Sequence, residues 1–347
     1  MANENHQVVL AERPTAEIVP GKTFRLETVP LPKEADLKDR EILVENLYLS
    51  LDPAMRGWIN DTRSYMAPVQ IGEKMRGLNV VRVLASKSPK VKAGDILPMQ
   101  SGWSEYAVLQ DKLIEPTSAY PTVSHPADYL SAVGATALTA YFGMLRIGDP
   151  KPGQTVVVSG AAGATGSVAG QIAKLKGARV VGIAGSDDKC KWLTEELGFD
   201  VAVNYKSPDF RAQFKAATPD YIDVYFDNVG GEILEACLAR AKEHARFVIC
   251  GGISQYNSST PQGPKNFSSV ITMRIRMEGF IVLDYVREFA PARKELAQWV
   301  AEGKIKNKHT IIRGGLQAAE GALIGLYKGI NTGKLLVEIK PTQDSRL

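Results

Sequence analysis

Cysteine and histidine are scarce in this chain, and their scarcity excludes several chemistries. Only Cys190, Cys237 and Cys250 occur, all in the middle of the chain and none in a Cys-x-x-Cys pair. A disulfide framework is therefore excluded, and small buried thiols in a reducing compartment are expected. Residues 1–130 hold no cysteine and only His6 and His125, so the three or four N/S ligands that zinc needs are missing there. No metal site is expected, and His125, His244 and His309 read as surface or capping residues. No stretch approaches the ~18 consecutive apolar residues of a membrane span. The start, Met1 to His6, lacks the basic and apolar regions of a secretory signal. A cytoplasmic protein without membrane attachment is expected, and the Asn257 and Asn266 sequons then carry no glycan. A peroxisomal address is an alternative, because Ser345-Arg346-Leu347 resembles one.

Other absences narrow the function. Lysine and arginine are scattered and the net charge is only +4, which gives no nucleic-acid surface. Ser167 follows Gly166 without an intervening lysine, so no phosphate loop of the nucleotide-hydrolase type is present. No tyrosine stands four residues before a lysine, which removes the Tyr/Lys pair of short-chain reductases.

What is present is organised around Thr155 to Gly177. A β-branched run, Thr155-Val156-Val157-Val158-Ser159, enters a Gly/Ala-rich turn and leaves as a helix with Val168, Ile172 and Leu175 on one face. Gly177 stops that helix, and Arg179 to Ala184 supplies a second apolar strand. The unit is β-α-β, whose turn offers backbone N–H groups and a helix dipole to a phosphate. Ala161, Gly163 and Gly166 hold the small-residue positions of a dinucleotide fingerprint, with Ala161 at the tight turn and Ala164 and Thr165 between the glycines.

A chain of 347 residues suits two domains. Up to about residue 130 it reads as short strands (7–10, 24–29, 41–49, 80–85, 103–109) punctuated by proline and glycine, as in a barrel or sandwich. A long irregular loop from Asp52 through Tyr65 to Pro68 interrupts them. From Asp128 to Leu145 a helical pattern leads into alternating strands and helices, including a helix from Asp187 to Leu197, strands at 222–227 and 246–250, and a β-prone run from Met273 to Val282. Such alternation implies a doubly wound parallel sheet with its ligand at the C-terminal strand ends. Asn228 to Gly231 and Gly251 to Ser254 should therefore lie beside the cofactor. The tail returns with strands at 309–312 and 335–339, the last pairing with the N-terminal part.

The second strand ends in Gly185 and Ser186, with Lys189 just beyond, where an NAD site wants an acid for the ribose 2′-hydroxyl. A 2′-phosphate fits better, so NADPH is expected. Asp187 and Asp188 leave two alternatives open: a carboxylate near the 2′ position, or two acids suited to the first turn of a helix.

Several motifs together resemble the zinc-independent branch of the medium-chain dehydrogenase/reductase superfamily, which contains the prostaglandin reductases and the alkenal/enone double-bond reductases. They are Asp52-Pro53-Ala54-Met55-Arg56-Gly57, Ala161 to Ser167, Gln171 to Gly177, Gly185 to Lys189, Phe226 to Gly231 and Cys250 to Asn257. The resemblance implies an α/β fold, with a GroES-like β-rich catalytic domain (1–130 and 309–347) and a Rossmann-type NADP-binding domain (131–308). It implies NADPH-dependent reduction of the C=C bond of α,β-unsaturated aldehydes and ketones, and a homodimer joined through the Met273–Val282 edge. By the same resemblance Lys189 and Tyr205 grip the 2′-phosphate. Asn228, Gly252, Ile253, Tyr256 and Asn331 contact the cofactor, and Ala54, Met55, Arg56 and Tyr65 line the substrate pocket. Relatives carry tyrosine where Ala54 stands, so a wider or less polar pocket is expected, with Trp58 and Tyr65 either compensating or merely packing.

Hydride addition to the β-carbon leaves negative charge on the carbonyl oxygen, and Tyr256 is the candidate donor to it. The alternatives carried are a tyrosine packed under the cofactor, a quinone reductase on the same architecture, and an NADPH-binding sensor without turnover.

Overall fold

The computed structural model describes residues 4–341. Ser345-Arg346-Leu347 lies outside the described residues. Contacts divide the chain into two units, residues 1–134 with 309–347, and residues 135–308.

Among the described residues, the first unit begins with an antiparallel hairpin of β1 (Glu4–Leu10) and β2 (Phe24–Pro30). β3 (Glu41–Ser50), β4 (Asn79–Ser86) and β5 (Ile96–Met99) follow as an antiparallel series, and β6 (Tyr106–Gln110) pairs with the first half of β3. β5 went unread in the sequence because of Pro98; it sits at the edge of its sheet, where a missing N–H is tolerated. The run from Trp103 enters its strand only at Tyr106, since Trp103 is a fully buried core anchor stacked on Phe24. A one-turn helix α1 (Met55–Trp58) opens the long loop after β3.

The expected helix from Asp128 to Leu145 is three pieces: a 3-10 turn at Pro126–Leu130, α2 (Ala135–Phe142) and a π-helical turn at Gly143–Gly148. His125 caps the first by accepting the Ala127 N–H.

The second unit holds a parallel sheet in the order β12-β11-β10-β7-β8-β9. Its strands are β7 (Thr155–Ser159), β8 (Arg179–Ala184), β9 (Val201–Asn204), β10 (Ile222–Asp227), β11 (Ala241–Ile249) and β12 (Arg276–Gly279). β12 is shorter than the run from Met273 to Val282, because Phe280 and Ile281 leave the ladder and a 3-10 turn starts at Val282. Between the strands run α3 (Ala164–Leu175), α4 (Asp187–Lys191), α5 (Phe210–Ala217) and α6 (Gly231–Leu238), followed by the short α7 (Ile253–Tyr256) and α8 (Ser269–Thr272), and by α9 (Phe289–Ala301). One core packs Val157, Val181, Ile183, Tyr225 and Phe247 under Phe214, Ile233 and Leu238.

The chain then re-enters the first unit. β13 (His309–Ile312), α10 (Ala319–Tyr327) and β14 (Lys334–Glu338) follow, and β14 lies between β13 and β3. Leu316, Leu323, Leu335 and Val337 share a core with Val8, Leu10, Leu49 and Met55. His309 is not a surface residue: its Nε2 lies 2.6 Å from the Ser131 hydroxyl and 3.4 Å from the Asp128 carboxylate. Among the described residues no helix is long and apolar enough to cross a membrane.

Candidate active site

β7 ends at Ser159, and the chain must reverse at once to start α3. Gly160 makes that reversal, with φ +56°, in the left-handed region that favours glycine. The tight turn therefore belongs to Gly160 rather than to Ala161, which is fully buried and donates its N–H to the Ile183 carbonyl at 3.0 Å. A Cβ on Gly166 would stand 2.4 Å from the Gly160 carbonyl oxygen, so helix and turn can approach only without one. Gly163 precedes the first turn of α3, and Ala164, Thr165 and Gly166 form that turn, aiming its N–H groups out of the strand end. The residues present fit a pyrophosphate.

At the end of β8, Ser186 caps α4 by accepting the Lys189 N–H at 3.3 Å. The Tyr205 ring lies against Gly185, whose Cβ would sit 3.0 Å from it. Lys206 reaches over the same ring, its Nζ 5.8 Å from the centroid. Half-buried Lys189 has its pKa lowered, first by burial and then by Lys206. A poorly solvated cation beside a second cation is a place prepared for an anion. Lys206 escaped the sequence reading, although it is the neighbour of Tyr205. Asp187 opens the first turn of α4, and its carboxylate accepts the Asn204 amide at 2.8 Å.

The ends of β10 and β11 are tied together through Asp227, 1% exposed. Its Oδ1 accepts from the Tyr225 hydroxyl (2.7 Å), the Ser159 hydroxyl (2.9 Å) and the N–H groups of Val229 and Gly230 (2.9 Å each). Its carbonyl accepts from Cys250 and Gly251. Ser159 in turn accepts the Asn228 N–H, and the Asn228 side chain donates to the Ser159 carbonyl at 2.7 Å. The carbonyls of Asn228 and Val229 receive the N–H groups of Ile253 and Ser254, which seats α7. On α7 the Tyr256 hydroxyl accepts the Gly252 N–H at 3.0 Å. A phenol that accepts one hydrogen bond is a stronger donor through its own O–H.

A cleft of about 570 Å3 opens at these strand ends, lined by Asp227, Gly252, Cys250, Phe280, Ile281 and Asp284 among others. Phe280, Ile281 and Asp284 were missed in the sequence. The strand-end rule applied to β12 would have found them.

The expected substrate residues and Asn331 belong to the first unit. Ala54 is half-exposed and Tyr65 exposed. Tyr65 accepts the Trp58 indole N–H at 2.6 Å, so the two aromatics are one hydrogen-bonded pair. Met55 and Arg56 are placed inside their own unit. Met55 is fully buried in the core, and the Arg56 guanidinium donates to the carbonyls of Pro14 and Ala16 and to the Asn60 side chain. Both staple their own unit. Asn331, 8% exposed, donates to the Gly333 carbonyl at 2.7 Å and so braces the turn before β14. The base of the loop is held by Lys334, 2% exposed, which donates to the Asp52 carboxylate and the Leu51 carbonyl, and by the Tyr327 hydroxyl on the Pro53 carbonyl.

Among the described residues no group of three or more His, Cys, Asp or Glu is arranged to hold a metal ion. Burial raises the Cys190 thiol to about 11, the Cys250 thiol to about 12 and the Cys237 thiol well above its ordinary value.

Residues 6–116 match the family model described as the N-terminal domain of oxidoreductase, and residues 164–300 the one described as zinc-binding dehydrogenase. The chain is 40% identical over 343 residues to the NADPH-dependent curcumin reductase of Escherichia coli, covering 96% of this chain and 97% of that one. It is 38% identical to the NADP(+)-dependent 2-alkenal reductase of Nicotiana tabacum, over 89% of this chain and 94% of that one. The crystal structure of CurA from Vibrio vulnificus in complex with NADPH superimposes with a TM-score of 0.87 at 39% identity, covering 97% of this chain and all of that one. The descriptor of the second family model names a metal that the residues here do not fit, whereas the turn and the Lys189 rim fit a phosphorylated dinucleotide. The chain belongs to the alkenal and prostaglandin reductases, the zinc-independent branch of the medium-chain dehydrogenase/reductase superfamily.

Proposed function

We propose that the protein is an NADPH-dependent reductase of the C=C bond of α,β-unsaturated aldehydes and ketones, with Tyr256 as its catalytic donor. The observation that carries the reading is the meeting, along the C-terminal edge of one sheet, of a phosphate turn, a cationic rim and a polarised phenol. NADPH bound there supplies hydride to the β-carbon of the conjugated carbonyl. Gly163 to Gly166 receive the pyrophosphate, Ser186, Lys189 and Tyr205 the 2′-phosphate, and Asn228, Gly252 and Ile253 the nicotinamide half. The Tyr256 hydroxyl donates to the carbonyl oxygen as it gains enolate charge, a contribution worth about 2.7–4 kcal/mol. Tyr256→Phe should lower kcat about a hundred-fold or more on an enone such as 3-nonen-2-one. An unchanged kcat with intact NADPH binding removes Tyr256 from the mechanism. A panel of enals, enones and quinones, run with NADPH and NADH, tests the substrate class. NADPH oxidation on quinones alone would overturn it.

The reading extends to a homodimer formed through β12. That strand is the edge of its sheet, and exposed Phe267, Ile271, Leu283 and Val286 lie on the segments that flank it. Sedimentation should give twice the chain mass, and Ile271→Asp should shift it to the monomer. It also extends to the cytoplasm, where the unpaired Cys190, Cys237 and Cys250 stay reduced; recovery of the native protein in a membrane or organelle fraction would refute that.

A further inference from the structure

Asp187 stands two residues from Lys189, at the first position of α4. A carboxylate there has two possible directions, and they have opposite effects on a phosphate. Toward the Lys189 side it would neutralise the cationic rim and repel a 2′-phosphate. In the structure it goes the other way. Its Oδ1 accepts the Asn204 amide at 2.8 Å, and it borders a groove of about 360 Å3 together with Cys190, Thr194, Asn204 and Gln213.

Asn204 is itself oriented. Its Oδ1 accepts the Lys206 N–H at 3.0 Å, which leaves the amide NH2 to face Asp187 and fixes the polarity of the pair. Asn204 is the last residue of β9, and Tyr205 stands in the turn that follows. Tyr205 lies on Gly185, whereas Asn204 and Asp187 border the same groove, whose lining includes neither Tyr205 nor Lys189.

We propose that Asn204 is a latch for cofactor selection: by holding the Asp187 carboxylate on the groove side, it keeps the Lys189–Tyr205 rim positive and makes the site prefer a 2′-phosphate. Asn204 touches no cofactor group in this scheme and acts as a positioning residue through Asp187. The inference rests on the assignment of the 2′-phosphate to Lys189 and Tyr205.

The test is calorimetric binding of 2′,5′-ADP and 5′-AMP to the full chain, which needs no turnover. Asn204→Ala, and Asn204→Ser as a second variant, should weaken 2′,5′-ADP by roughly five-fold, the size of one like-charge contact at about 4 Å in water. Affinity for 5′-AMP should hold. Asp187→Ala/Asn204→Ala should regain the wild-type ratio of the two affinities. An unchanged ratio in both single variants overturns the latch, and so does a double variant as weak as Asn204→Ala. Lys189→Ala separates the underlying assignment. If it weakens both ligands equally, the 2′-phosphate reading fails; if it weakens only 2′,5′-ADP while the Asn204 variants do not, the latch alone fails.

Discussion

Replacing Asp227 asks whether a buried carboxylate with four donors on one oxygen holds the site together or merely tolerates its position. In Asp227→Ala the donors lose their acceptor. Three of them are out of reach of water: the hydroxyls of Tyr225 and Ser159, on residues with no exposure, and the N–H of buried Gly230. Each stranded donor costs about 1–3 kcal/mol, so the loss for three is about 6 kcal/mol. Asp227→Asn keeps an acceptor but makes it neutral, which removes about 1 kcal/mol from each of the four bonds. Relief from burying a charge offsets part of this, leaving a loss of about 2 kcal/mol. Urea unfolding of the full chain measures both, and amide exchange of the 227–231 peptide shows whether the loss begins at the hub. The expected order of midpoints is wild type, Asn, then Ala, with NADPH affinity falling in the same order because α7 hangs on the Asn228 and Val229 carbonyls. An Asn variant more stable than wild type would refute the reasoning, since burial of the charge would then cost more than its hydrogen bonds return.

Gly166→Ala places a methyl 2.4 Å from the Gly160 carbonyl and should abolish NADPH quenching of intrinsic fluorescence while leaving the circular dichroism of the fold largely intact. Lys334→Ala breaks a partly buried pair with Asp52 and should cost about 1–3 kcal/mol, read as a lower thermal midpoint of the full chain. His309 has its pKa lowered, first by burial and then through His125 and Lys334, against a raising effect of Asp128. Because the folded state disfavours the imidazolium, its contribution to stability is complete above the unfolded value near 6.5 and is lost as pH falls through the lower folded value. His309→Gln should flatten the thermal midpoint between pH 7 and 5; an unaltered slope would contradict the assignment.

The β-α-β unit around the glycine turn was readable because one segment combined β-branched residues, small residues and a helical stripe. The sequence order alone places Lys189 just after the end of β8 and Tyr205 just after the end of β9. What the sequence hid depends on contacts distant along the chain. Nothing local says that Arg56 will serve the carbonyls of Pro14 and Ala16, or that Asn204 will turn Asp187. Asp227 was read only as a strand residue, since its role needs Ser159, 68 residues earlier. Periodicity also joined what glycine separates: a Cβ on Gly134 would meet the Tyr129 carbonyl at 2.4 Å, and the chain breaks its helical pattern there.

The place of β14 between β13 and β3 has a consequence for biosynthesis. Residues 135–308 emerge from the ribosome as one uninterrupted stretch and can complete their sheet while translation continues. The unit that was begun first must wait, since Leu335 and Val337 belong to the same core as Val8 and Leu10. Its apolar face stays uncovered until β14 has been synthesised, which makes the nascent chain a client for chaperones. A stop codon just after Gly333 would leave the core around Val8 and Leu10 without β14.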